Sequence, residues 1–274
     1  MLNVVHDIAQ HKPQVDGHVQ EMIWLHQVEE TCTAKLRRRL EMDDPVGCKR
    51  ILNIHVSWKF QPVTKLSGKE FKRVWWMMII YHRILWITGV RQYDVNPSNL
   101  MVYRTQSGLV MGAINDCDLS SPENGSGGHE RIGMIPFMAM DLLTKKTIED
   151  KAEPLYPHIA ESFIWVLILV CLQYEDGKLL NKDRPLDCWL TGDALGCQKM
   201  KRDCLKLAIE TRIETPPPHH FSLELNLFLL TLIASFYVEG RDLVLGGECM
   251  FRTWFDAQLP SSIRYVIHSP RSSK

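Results

Sequence analysis

The sequence predicts an α+β fold, and three observations carry that prediction. A long helix is expected over "LSGKEFKRVWWMMIIYHRILWITG", whose apolar residues fall on one broad face. Two short apolar stretches follow it, Leu100 to Tyr103 and Leu109 to Ile114, and "RTQSG" between them is a plausible turn, so they predict a β-hairpin. Farther along, "ESFIWVLILVCLQY" is apolar on all sides, which is typical of a helix buried through the centre of a lobe.

The bulk composition disfavours several function classes. Lys plus Arg and Asp plus Glu both count 32 in 274 residues, so no net charge favours nucleic acid or an anionic membrane. The eight cysteines include no C-x-x-C pair, which zinc sites usually carry, and they predict reduced thiols. We therefore expect an intracellular protein of the cytoplasm or nucleus, whose partners include neither nucleic acid nor membrane.

Two apolar runs resemble membrane spans, and both are predicted to be buried core helices instead. "FIWVLILVCL" is too short to cross a bilayer, and "LELNLFLLTLIASFYV" carries Glu224 and Asn226 near its start. The first residues, "MLNVVHDIAQ", lack a basic region followed by an apolar core, so no signal peptide is expected.

The front of the chain is predicted to be mainly helical up to about Arg50. Met22, Leu25 and Val28 recur at helical intervals within a charged stretch. The next segment, "RILNIHVSWKF", alternates and is β-branched, which predicts a strand that ends near Gln61-Pro62.

The long helix carries its own start and stop signals. Ser67 and Glu70 have the spacing of a capping box, and Gly89 suits the helix end. His82 on this helix is interpreted as a satisfied polar residue at the edge of the core rather than a catalyst.

Three polar residues flank the hairpin: Asp94, Asn99 and Asp116. An antiparallel hairpin returns its exit next to its entrance, so Asn99 and Asp116 are expected side by side. An amide oxygen beside a carboxylate suits Mg²⁺, and Asp94 could accept a proton from a substrate hydroxyl, as phosphoryl transfer requires. From these residues alone, the alternative that they only cap turns at the strand ends stays open.

The order of motifs resembles the C-terminal lobe of a protein kinase, and more narrowly the fungal-type protein kinase family. "YDVNPSN", the hairpin, "NDCDLSS", "RIGMIPFMAMDLL" and "ESFIWVL" follow one another in that family's order. The resemblance covers most of residues 16–205 and implies a kinase-like fold with a truncated N-lobe and a mainly α-helical C-lobe. It implies a partial N-lobe and hinge over residues 1–62, a C-lobe over 63–260 and a disordered tail over 261–274.

The resemblance also implies roles for the three polar residues. Asp94 matches the catalytic base, while Asn99 and Asp116 match the ligands of Mg²⁺. The implied activity is ATP-dependent phosphorylation of Ser or Thr in a protein substrate. No residues are assigned to the nucleotide, and its adenine is expected near Ser57 to Gln61 by position only.

A second set of residues matches the activation segment of a kinase: Arg131, Gly133 and Asp141. Asp141 stands where the family pattern ends this segment with Glu, and Arg184 is our candidate for its ion-pair partner. That hypothesis predicts that Arg184→Ala destabilises the lobe.

The sequence departs from the kinase pattern at several positions. Gln92 and Tyr93 replace His and Arg of the H-R-D motif, Met134 replaces a Thr that bonds the base, and Ile159 replaces an Asp that holds the catalytic loop. Nothing before Ile51 reads as a Gly-rich loop or a strand lysine, so either the coding sequence is truncated or ATP is held in an unusual way.

These departures favour an alternative, a catalytically inactive kinase-like module that binds a partner or acts as a scaffold. A third reading, a small-molecule kinase of the aminoglycoside or choline type, would also use two Asp and an Asn. "RIGMIPFMAMD" speaks against it, because it resembles an activation segment for protein substrates.

Overall fold

A computed structural model describes residues 17–18, 22–28, 32–42, 52–66, 68–115, 133–150, 154–175, 177–181, 184 and 186–209. These residues form helices and small antiparallel sheets, which confirms the α+β class. The strands are β1 Met22–Val28, β2 Leu52–Ser57, β3 Gln61–Pro62, β4 Leu100–Arg104, β5 Val110–Ile114, β6 Tyr174–Glu175 and β7 Lys178–Leu179. The α-helices are α1 Thr33–Arg39, α2 Gly68–Ile87, α3 Lys145–Asp150, α4 Tyr156–Gln173, α5 Asp187–Thr191 and α6 Ala194–Ile209.

The predicted hairpin is present and forms the centre of a three-stranded sheet in the order β3–β4–β5. Its strands pair in the antiparallel register from Leu100 opposite Ile114 to Arg104 opposite Val110. Gly108 closes the turn with φ +80°, a backbone conformation that glycine adopts without steric cost. The strand bounds differ from the prediction by one residue at one end of each strand.

Helix α2 packs directly on strand β5. At Gly112 a Cβ atom would lie 2.8 Å from Cγ of Met78, so only glycine permits this close approach. The helix ends as predicted, because Gly89 has φ +92° and the N–H of Val90 donates to the carbonyl of Leu85 at 3.0 Å. Ser67 of the predicted capping box lies outside the described residues.

Helix α4 is the buried centre of the molecule, as the all-round apolar pattern predicts. Sixteen of its eighteen residues are buried. Trp75 of α2 donates its indole N–H to the carbonyl of Phe163 at 3.0 Å, which ties the two core helices together. Among the described residues, α4 is the one helix long and apolar enough to span a membrane, but 94% of that window is buried inside the protein, as in a core helix.

The helix predicted for the front of the chain is wrong over Met22–Val28, which is strand β1. Strand β1 pairs antiparallel with β2, from Val28 opposite Leu52 to Trp24 opposite Val56. The apolar residues of this segment fit a helical interval, but they also fit a strand rich in large apolar side chains. Pairing with β2 makes the segment a strand. Only Thr33–Arg39 of the predicted helical stretch is helical in the described part of the chain.

Several further expectations concern other parts of the chain. None of the five cysteines within the described ranges forms a disulfide: Cys32, Cys171, Cys188, Cys197 and Cys204. That all eight thiols are reduced stays a prediction. The second apolar run, over 223–238, and the tail over 261–274 lie outside the described residues. The division at residues 62 and 260 remains a prediction.

Candidate active site at the open end of the hairpin

Asp94 and Asn99 lie together, as the resemblance implies. The side-chain amide of Asn99 donates to the carbonyl oxygen of Asp94 at 3.0 Å and to its Oδ2 at 3.2 Å. Asn96 shapes the loop between them, because its Oδ1 accepts from the backbone N–H and hydroxyl of Ser98 and from the N–H of Asn99. The loop therefore holds the carboxylate and the amide in contact through its own hydrogen bonds.

The two ends of the hairpin meet where the sequence predicts. The N–H of Asn115 donates to the carbonyl of Asn99 at 2.9 Å, one step beyond the Leu100–Ile114 pair. Asp116 is the next residue and lies outside the described ranges, so its contact with Asn99 remains a prediction.

Gln92 has a role that the sequence analysis missed. Its Oε1 accepts from the N–H of Asp94 at 2.7 Å, and its Nε2 donates to the carbonyl of Asn115 at 3.2 Å. The side chain therefore links the Asp94 loop to the exit of the hairpin, directly before Asp116. The available signal was an amide side chain two residues before Asp94, at the position where the family pattern has His.

His82 supports Gln92 from the core, and the prediction that it lies at a polar edge is wrong. It is fully buried, and its Nε2 donates to the carbonyl of Gln92 at 2.8 Å. Its Nδ1 has no hydrogen-bond partner among the described residues. Burial lowers the pKa of His82 to about 4, opposed by its hydrogen bond to Gln92, so the imidazole is neutral at pH 7.

The predicted activation segment reaches Asp94 through its backbone. The N–H of Met134 donates to Oδ1 of Asp94 at 3.1 Å. The expectation that Met134 leaves the base without this hydrogen bond is therefore wrong, since the main chain replaces the missing hydroxyl. Gly133 precedes it with φ +124°, and a Cβ there would lie 3.5 Å from the carbonyl oxygen of Tyr93. Arg131 lies outside the described residues.

The proposed ion pair between Asp141 and Arg184 is wrong. Arg184 pairs with Asp187 instead, at 2.7 Å, three residues along the chain, where local geometry favours the contact. Asp141 is exposed, and its carbonyl accepts from the hydroxyl of Thr147 at 2.9 Å. The segment is held by Glu161, whose Oε1 accepts from the N–H of Met140 at 2.9 Å.

The site has one clear metal-compatible group within the described residues. Both amide hydrogens of Asn99 are directed to Asp94, so the amide oxygen is left to accept a hard cation or water. No cluster of three His, Cys, Asp or Glu side chains occurs in the part of the chain that the structure describes. The expectation that Asp116 supplies a second oxygen ligand for a divalent cation stays a prediction.

Comparisons with known proteins bear on the family of the chain. No curated protein sequence matches the chain. A family model does match it, and the matched segment begins at the start of α2 and ends within α4. It contains Asp94, Asn99, Asp116 and the predicted activation segment, but not the strands β1 and β2. Residues 67–171 match the fungal protein kinase family, which confirms the resemblance drawn from the sequence.

Proposed function

We propose that the chain is a kinase-like phosphotransferase that moves the γ-phosphoryl group of ATP, with Mg²⁺, to a Ser or Thr hydroxyl of a protein. The family match supports a kinase-like function. The observation that carries the proposal is the contact between Asp94 and Asn99 at the open end of the hairpin. The partner is then a protein in an intracellular compartment.

The chain's own residues would divide the work as follows. Asp94 orients the substrate hydroxyl and accepts its proton, because the loop and the Met134 N–H fix its carboxylate. Asn99 and Asp116 would hold the metal through their side-chain oxygens. The bound Mg²⁺ would neutralise the charge on the phosphates. Gln92 keeps the two sides of the site in register.

The fold we propose is the kinase-like one. Helices α2 and α4 with the hairpin would be the core of a C-lobe, and the β1–β2 ribbon would be what remains of an N-lobe. The connection between β2 and β3 would be the hinge. Phe60 in that connection stacks on Tyr103 of the hairpin, with 4.9 Å between ring centroids, and this contact supports the assignment.

A catalytically inactive kinase-like module is the second candidate, and one observation favours it. Both carboxylate oxygens of Asp94 already accept a hydrogen bond, Oδ2 from Asn99 and Oδ1 from Met134. A substrate hydroxyl would need one of the remaining lone pairs.

Transfer of ³²P from labelled ATP to a generic protein substrate tests the proposal. Asp94→Asn keeps the shape of the side chain but removes the base, so transfer should fall by at least about a hundredfold. The control is Asp203→Asn, an exposed aspartate on α6. Loss of transfer in Asp94→Asn alone supports the enzyme. No transfer by the folded wild type, and no stabilisation by Mg-ATP in a thermal shift, supports the inactive module.

A further inference from the structure

Lys201 of helix α6 is a lysine with no solvent exposure. Its relative exposed area is 0%, and its Nζ donates to the carbonyl of Met138 at 2.5 Å. The ammonium group also lies 4.7 Å from the ring centroid of Trp165 on α4, a cation–π distance. A lysine side chain is almost never fully buried unless it is paired, so the burial of Lys201 requires a physical explanation.

Two more buried side chains hold the same short segment. Gln198, one helical turn before Lys201, donates its Nε2 to the carbonyl of Met140 at 2.8 Å. Glu161 of α4 accepts from the N–H of Met140 at 2.9 Å and from the indole of Trp165 at 2.7 Å. We call Glu161, Gln198 and Lys201 the clamp, since together they fix three backbone groups of residues 138–140.

The clamp is a costly way to build a core. Taking a carboxylate and an ammonium group out of water is unfavourable, and apolar residues of similar size often serve stability as well. Burial lowers the pKa of Lys201 to about 8, and the neighbouring Cys197 and Glu161 oppose that shift. This cost of burial favours a role for the clamp besides stabilising the fold.

The clamped segment is continuous with the residue that touches Asp94. The N–H groups of Phe137 and Met138 both donate to the carbonyl of Met134, at 2.9 and 3.2 Å. One short helical turn therefore connects the clamped residue 138 to residue 134. The N–H of Met134 bonds Asp94 on the other side, while its side chain is 46% exposed.

We propose that Lys201, together with Gln198 and Glu161, is a positioning residue that holds residues 134–140 against Asp94, beneath the surface on which the substrate lies. This inference rests on the proposed function. Lys201 acts through the backbone and touches no reacting atom. Its loss should therefore change the order of this segment and the turnover rate, but not the affinity for ATP.

Hydrogen–deuterium exchange of the full chain, with a transfer assay, tests the proposal in Lys201→Met. Amides of residues 134–140 should exchange about tenfold faster, as expected when a buried hydrogen bond is lost. The value of kcat should fall about tenfold to a hundredfold with an unchanged KM for ATP. Peptides from α4 serve as an internal reference, because global destabilisation would accelerate their exchange as well. The matched control is Lys199→Met, exposed on the same helix.

Each outcome decides one question. Wild-type exchange over residues 134–140 in Lys201→Met would overturn the clamp, as would equal acceleration in α4. If Lys201→Met does not fold, Gln198→Leu takes its place with the same expected and overturning results. A wild type without transfer activity would contradict the proposed function alone, and the exchange measurement would still support or overturn the clamp.

Discussion

The β1–β2 ribbon and helix α4 are both rich in apolar side chains, yet they are buried to opposite extents. In α4 sixteen of eighteen residues are buried, and the helix contacts both α2 and the short helical turn Ile135–Phe137. Within the described residues the ribbon pairs only with itself. Its exposed large apolar residues are Ile23, Trp24, Leu25, Leu52, Ile54 and Val56.

This difference in burial shows which of the two elements contributes more to the stability of the fold. A two-stranded ribbon is marginally stable on its own, whereas a helix buried between others contributes its whole apolar surface. Asp94, Asn99 and the three clamp residues all lie outside the ribbon, and the family match begins only at residue 67. We expect substitutions on α4 and around Asp94 to be severe, and matched substitutions on the ribbon to be mild.

The largest expected effect is at Trp165. Trp165→Ala removes a fully buried indole that donates to Glu161 and stacks edge-on with Trp189, so it should cost about 3–5 kcal/mol of unfolding free energy. Trp24→Ala on the ribbon removes an indole that is 49% exposed and should cost less than about 1 kcal/mol. Urea unfolding of both variants measures the difference, and equal costs would contradict the comparison.

The next effect is a pH dependence from His82. Its pKa is about 4 in the folded protein against 6.5 unfolded, so the unfolded chain binds more protons between these values. Stability is therefore full above pH 6.5 and falls as the pH drops toward 4, by up to about 3 kcal/mol. Chemical denaturation across that range measures it.

The matched pair for this titration is His82→Gln and His26→Gln. His82→Gln should lose the part of the pH dependence of stability that His82 contributes. His26→Gln, which changes an exposed residue of the ribbon, should keep that part. Identical pH profiles in wild type and His82→Gln would show that burial of this imidazole is not responsible.

A smaller loss of stability is expected at Gln92. Gln92→Leu leaves the N–H of Asp94 and the carbonyl of Asn115 without their partner, which should cost about 2 kcal/mol. Transfer activity should fall as well, because the two sides of the site lose their link. Gln27→Leu on the ribbon is the control and should change neither quantity. Unfolding and transfer assays on both variants measure these two effects. Full transfer activity in Gln92→Leu would argue against a role for the Gln92 hydrogen bonds in the site.

The smallest loss of stability is expected from an exposed ion pair on the core region. Arg104 at the end of β4 pairs with Glu70 of α2 at 3.2 Å, and both side chains are exposed. An exposed ion pair contributes about 0.5 kcal/mol or less, and salt weakens it. A double-mutant cycle with Arg104→Gln and Glu70→Gln measures the coupling. A coupling free energy above about 2 kcal/mol would contradict this expectation. It would mean that the position of the ion pair in the fold, rather than its exposure to solvent, determines its contribution to stability.

The core was predictable because periodicity reports burial directly. The apolar faces of α2 and α4, and the turn at Gly108, are local patterns, and the structure follows them. Strand β1 was mispredicted because its pairing partner lies about 30 residues away, which no local pattern contains, whereas the β-branched alternation of β2 did predict a strand. Asp94 and Asn99 were found because they lie five positions apart in one loop.

The clamp and Gln92 were missed for a different reason. Their hydrogen bonds run to backbone groups, and those of the clamp span 21 to 63 residues, so side-chain identity alone does not indicate the acceptor. One signal for the clamp was present. Lys201 falls on the helical stripe of Cys197 and Leu205, at intervals of four residues, and a position on the apolar stripe of a helix faces the core.

Calorimetric titration of ATP with and without Mg²⁺ tests the proposed phosphate site most directly. We propose that the metal and the phosphates bind at the open end of the hairpin, through the side-chain oxygens of Asn99 and Asp116. The wild type should then bind ATP in a Mg²⁺-dependent manner, and Asp116→Asn should weaken this binding at least about tenfold, or about 1.4 kcal/mol. Binding that is indifferent to Mg²⁺, or unchanged in Asp116→Asn, would contradict this proposal.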